Sequence, residues 1–170
     1  MPREISEKEE HREQNVTCFF SNNACSGWFA ALTTEDQENV NAVLRYERTT
    51  LRLTSREIPH DAFASWTILK GLNLECPSLT ALPTSLGQLQ ALTDMNLQEC
   101  ISLEFLPRSL GQLTVLNKLN LGGCSTIELL PESLVQLPTL TWLNLGCCKK
   151  LKALPEPFGQ LQTLKWLGLL

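Results

Sequence analysis

The chain has 170 residues, enough for one domain or a short repeat array, and enough to bury most of its apolar surface. A formal net charge of −4 and a pI near 5.2 leave no basic field to draw it to nucleic acid or an anionic membrane. No apolar run reaches the roughly 18 residues of a membrane span, and no apolar stretch of signal-peptide type follows the charged start. The expected setting is cytoplasmic, with neither nucleic acid nor membrane as partner. Seven cysteines are an odd number, and without an export signal they are expected to be reduced, buried thiols. Asn15-Val16-Thr17 has the form of a glycosylation sequon, which has no use without secretion.

Residues 1–14 read as a charged tail expected to be disordered or frayed. Residues 15–50 read as an N-terminal cap. Within them Cys18, Phe19, Phe20, Cys25, Trp28 and Phe29 form an apolar cluster, either part of the cap or a separate binding peptide. Thr34, followed by Glu35, Asp36 and Gln37, has the form of a helix start with a capping-box partner at Gln37. With the apolar stripe Val40, Val43 and Leu44, it predicts a helix from about 35 to 47 covering the open end of whatever follows.

From 51 onward the chain is periodic. Leu51 and Leu53 supply a first strand. An irregular unit follows with Ile58-Pro59, Phe63, Leu69, Leu72, Leu74 and Cys76. Its Leu74 to Cys76 gap is one residue short, and its Pro59 to Phe63 gap is one residue long. Thereafter Pro83, Pro107, Pro131 and Pro155 recur every 24 residues, each after a leucine: Leu82, Leu106, Leu130 and Leu154. Ser85/Ser109/Ser133, Leu86/Leu110/Leu134/Phe158 and Leu89/Leu113/Leu137/Leu161 return at the same spacing. Each unit then reads L-x-x-L-x-L-x-x-C, as in Leu92, Met95, Leu97, Cys100, then Leu116, Leu119, Leu121, Cys124, then Leu140, Leu143, Leu145, Cys148. Period-two alternation marks a short strand with alternate side chains inward. Six parallel strands are predicted at about 51–53, 72–74, 95–97, 119–121, 143–145 and 167–169, spanning roughly 24 Å at about 4.8 Å each.

This spacing, with Cys in the last column, resembles the leucine-rich-repeat family over about residues 51–170. It is most like the intracellular, 24-residue, cysteine-containing repeats of plant disease-resistance receptors and of scaffolds for Ras-like GTPases. The resemblance implies an α/β solenoid of five to six repeats with a curved parallel sheet, a convex side of irregular, 3-10 or short-helix backbone, and the N-terminal helical cap. The sequence stops at Leu169-Leu170 inside a strand. The expectation is a truncated chain with an uncapped edge, monomeric or weakly self-associating.

Stacked repeats place Cys76, Cys100, Cys124 and Cys148 in a line rather than around one ion, so burial is expected and no metal or cofactor. Cys147 should point the other way and be exposed, without a neighbour that would activate it. The outward residues of each strand are where a ligand can be read without disturbing the core. One outward column runs Gly71, Asp94, Lys118, Trp142, Trp166. Its two tryptophans form a candidate aromatic patch, or else shelter each other. The next column, Asn73, Asn96, Asn120, Asn144, Gly168, is expected to form a side-chain hydrogen-bond ladder. The preceding one, Lys70, Thr93, Asn117, Thr141, Lys165, is polar. Asp94, Lys118, Trp142, Trp166 and Lys165 are therefore the candidate binding residues for another protein, on a scaffold of immune-type recognition or signalling. No G-x-x-x-x-G-K-[ST] motif accompanies them. The alternatives are a structural or oligomer-forming fragment without a ligand, and a thiol-dependent enzyme using Cys147. No catalytic residue is expected, because His11 and His60 lie in no recognisable constellation.

Overall fold

A computed structural model describes residues 23–44, 49–54, 57–66 and 68–169. The tail expected over 1–14 and Cys18, Phe19 and Phe20 of the apolar cluster lie outside these residues. Among the described residues two helices precede the sheet, α1 (Asn23–Ala31) and α2 (Thr34–Leu44). The cap of α2 falls one residue earlier than the sequence suggests. Thr33, not Thr34, receives the first-turn N–H, with Asp36 N donating to Thr33 Oγ1 at 3.1 Å. Gln37, expected to close a capping box, instead donates through Nε2 to the carbonyls of Phe29 and Leu32 and fastens α2 to the end of α1.

Six strands follow: β1 (Thr50–Leu53), β2 (Gly71–Leu74), β3 (Asp94–Asn96), β4 (Lys118–Asn120), β5 (Trp142–Asn144) and β6 (Trp166–Gly168). All neighbours pair in parallel, in chain order. Helix α2 packs on β1 and places Val40 and Val43 in the core, so the otherwise open apolar end of the stack is covered.

From β3 on, the strands lie one residue earlier than the leucine pattern suggests, because the last leucine of each motif turns its carbonyl out of the ladder. The Leu97 carbonyl accepts from Cys100 N at 3.1 Å and from the Cys124 thiol, also at 3.1 Å. Spacing is not constant either. Leu51 pairs with Leu72 after 21 residues and Leu72 with Met95 after 23, before the 24-residue period sets in at Leu119. The second unit is short where Glu99, Gly123 and Cys147 take left-handed backbone (φ 60°, 79° and 60°) just before the column cysteine. With one residue fewer between Leu74 and Cys76, that turn has no place for it.

The inward columns are buried as the alternation requires. A further column, Leu79, Leu103 and Ile127, is fully buried below the strand ends and was not anticipated. Each Leu-Pro pair leads into a 3-10 helix: Thr84–Gln88, Arg108–Gln112, Glu132–Gln136 and Glu156–Gln160. Proline in extended backbone (Pro83, φ −67°, ψ 151°) ends the preceding segment and starts the turn. Adjacent 3-10 helices touch through small residues. A Cβ on Gly87 would come within 2.8 Å of the Ser109 carbonyl, and one on Gly111 within 2.7 Å of that of Ser133. Both members of this pair change together at the next step, where Val135 and Pro157 stand in the same places.

Candidate functional site

The outward columns lie in register across the sheet. Pairing sets Thr50 beside Gly71, then Asp94, Lys118, Trp142 and Trp166, in one row. The strands thus bring Asp94, Lys118, Trp142 and Trp166 onto one surface, with Lys165, also exposed, one residue before β6.

Trp142 and Trp166 stack face to face, ring centroids 4.5 Å apart and planes within 7°. The two rings do partly shelter each other: Trp142 is half-buried, while Trp166 remains 44% exposed. The stack depends on Gly168. A Cβ there would lie 2.6 Å from the six-membered ring of Trp166 and 2.7 Å from Asn144 Oδ1, so the ring occupies the space an asparagine would need. That is why the asparagine column stops there.

The asparagine ladder is not continuous. Asn96 Nδ2 donates to Asn73 Oδ1, and Asn144 Nδ2 donates to Asn120 Oδ1, each at 2.9 Å. Between the two pairs Gln98 intervenes: Asn120 Nδ2 donates to Gln98 Oε1 at 3.1 Å, while Asn96 Oδ1 accepts the Gln98 N–H. Towards the other end of the row lies an open hollow of about 310 Å³, lined among others by Thr50, Gly71, Asn73, Asp94, Lys118 and Trp142.

Charges on this face are loosely held. Lys118 Nζ is 3.7 Å from Asp94 Oδ1, with both side chains more than half exposed. Such a pair contributes only about 0 to 1 kcal/mol. Asp94 also accepts from Thr93 Oγ1 at 2.7 Å. Arg52 is ion-paired with Glu75.

On the other side of the sheet Cys76, Cys100, Cys124 and Cys148 form a line of free thiols. Each donates to the carbonyl of the leucine at or just past the strand end one repeat earlier: Leu53, Leu74, Leu97 and Leu121, at 3.1 to 3.3 Å. Burial pushes the Cys76 and Cys124 thiols up to about 12 and raises Cys100 and Cys148 as well, the reverse of what a nucleophile needs. Cys148 is only half-buried, and Cys147 is exposed.

Two groupings escaped the sequence. Asp36, 3% exposed, accepts from Thr54 N at 3.2 Å and Thr54 Oγ1 at 2.9 Å, joining α2 to the end of β1. His60, which lies in no constellation recognisable from the sequence, is 3.0 Å from Asp61 Oδ1 through Nδ1 and 2.6 Å from Thr84 Oγ1 through Nε2. The crossover stacks positions 60 and 84 one repeat apart, which no linear motif records. The trio is open to solvent, the His60 side chain being 71% exposed. Among the described residues, no helix is long and apolar enough to cross a membrane.

No family model matches the chain, and no curated protein matches it. Solved structures do. The chain is similar to the leucine-rich repeat domain of the type III effector XopL, at 30% identity and a TM-score of 0.61, over 66% of this chain and 38% of that one. It is also similar to the leucine-rich-repeat protein LIC12759 of Leptospira interrogans (24% identity, TM-score 0.47, 73% of this chain, 43% of that one). A further match is the plant peptide hormone receptor RGFR1 in complex with RGF2 (20%, TM-score 0.46, 66% and 22%). The chain spans less than half the length of each of these structures.

Proposed function

We propose that this chain, which has the leucine-rich-repeat fold, is a non-enzymatic scaffold that binds another protein on the open face of its sheet. The observation that carries the reading is the stacked pair Trp142 and Trp166. Large, rigid aromatic surface held in place before binding is what binding hot spots are made of. The Asp94–Lys118 pair and Lys165 beside the stack supply polar contacts that select among partners. A core of unbridged thiols supports a reducing, cytoplasmic setting. The likeness to the leucine-rich repeat domain of a type III effector supports a protein-binding module in general.

Recovery of partners from a cell extract by the wild-type chain, compared with the Trp142→Ala/Trp166→Ala variant, tests this directly. Loss of specific partners with unchanged circular dichroism is the expected outcome. Equal recovery would remove the open face from consideration. Light scattering on the same samples checks the competing reading, self-association without a ligand, since the scaffold reading expects a mass independent of concentration.

A further inference from the structure

The open face differs in sign from the molecule that carries it. The whole chain has a net charge of −4, yet the outward sheet columns and their flanking positions hold four cations, Arg52, Lys70, Lys118 and Lys165, against three carboxylates, Glu75, Asp94 and Glu99. The acids are confined to the first strands. Glu75 is already ion-paired with Arg52, and Asp94 lies beside Lys118. Beside the tryptophan stack stand Lys118 and Lys165, with Asp94 next beyond Lys118.

Resting on the binding face proposed above, we infer that its partner is an acidic segment of another protein. This is an extended stretch with an apolar or aromatic side chain on the Trp142–Trp166 stack and carboxylates on Lys118 and Lys165. The spacing supports this. Lys118 belongs to β4 and Lys165 precedes β6, two strand separations away, or about 10 Å. An extended segment advances about 3.3 Å per residue and alternates its faces, so carboxylates four positions apart, about 13 Å, with the apolar side chain midway on the same face, come within reach of both long lysine side chains. Lys118 is available because its present partner is an exposed, weak one. Asp94 then acts as an internal competitor that an incoming carboxylate displaces.

That competition gives the inference a variant that should gain function. Short random peptides displayed on phage, selected in parallel on the wild-type chain and on Trp142→Ala/Trp166→Ala, identify what the face takes. Enrichment of sequences pairing Asp or Glu with an aromatic residue, on the wild type alone, is expected. An enriched peptide, synthesised and measured by fluorescence anisotropy, should then bind about tenfold more weakly to Lys118→Glu/Lys165→Glu. It should bind about threefold more tightly to Asp94→Asn, and more weakly as salt rises. Enriched peptides that need the tryptophans but are basic or uncharged overturn the acidic partner and leave the binding face standing. No difference between the two selections overturns both. Binding of the enriched peptide that is unchanged in Asp94→Asn and in the double charge reversal overturns the roles of the lysines.

Discussion

The two faces of this sheet are made by the same strands and obey opposite rules. Inward, Leu72, Met95, Leu119 and Leu143 are all but identical and at most 2% exposed, because each must fill the same space against the next repeat. Outward, one residue away, the row changes from glycine to aspartate to lysine to tryptophan. The fold tolerates this because that row packs against nothing that repeats. Periodicity therefore marks what holds the solenoid together, and departure from it marks positions that can vary without cost to the fold.

The sharpest test of this contrast compares neighbours on one strand. Leu119→Ala should lose about 2 to 5 kcal/mol in urea unfolding, as for a fully buried leucine. Lys118→Ala, next to it but exposed, should stay within about 0.5 kcal/mol. Comparable losses would mean that the open face is structural after all. Asp36→Ala comes next. It strands the Thr54 N–H and hydroxyl and should cost about 1 to 3 kcal/mol, with α2 loosened from β1 in hydrogen exchange.

The cysteines extend the contrast to pH. Burial raises Cys76 and Cys124 from an ordinary value of 9.0 to about 12, so the folded state holds these protons more tightly than the unfolded chain. Their contribution to stability is fully present below pH 9 and is lost as pH rises towards 12. Unfolding midpoints should fall across that window. Iodoacetamide at neutral pH should label Cys147, which is exposed, and spare Cys76, Cys100 and Cys124 until the chain unfolds.

What could be read in the sequence follows the same division. The 24-residue period and the two-residue alternation name the strands, the inward leucines and the cysteine line, because each column records a repeated physical demand. The outward row could be aligned for the same reason. Its side-chain geometry could not. The stacking of Trp142 on Trp166 depends on the absent side chain of Gly168, and the asparagine ladder breaks because Gln98, one column over, competes for Asn120. Contacts made across crossovers were also out of reach. His60 meets Thr84 only once the irregular unit has been folded back beside the next.

The contact between 3-10 helices makes a smaller prediction, of opposite sign. The Ser85, Ser109 and Ser133 hydroxyls are buried and have no hydrogen-bond partner among the described residues. Small size is what the site requires, since glycine and serine backbones approach within 3 Å of one another's Cβ space; a hydroxyl is not. Ser109→Ala keeps the volume nearly unchanged and removes a desolvated polar group, so it should stabilise the fold by up to about 1 kcal/mol. Ser109→Val should destabilise it, by forcing the neighbouring helix away.

The smallest effect belongs to Cys147, where the two rules meet. Its φ of 60° belongs to the turn that directs Cys148 inward, and the equivalent position of the preceding repeat is Gly123 at φ 79°. A side chain in left-handed backbone costs about 1 to 2 kcal/mol, and glycine avoids that cost while giving up some through its freer unfolded chain. Cys147→Gly should therefore raise the thermal midpoint by a few degrees at most. It should leave partner binding alone, since position 147 lies beyond the strand, away from the outward row of Trp142 and Trp166. A loss of binding in this variant would place the recognition surface on the turns that follow the strands, and the division between the two faces of the sheet would have to be redrawn around them.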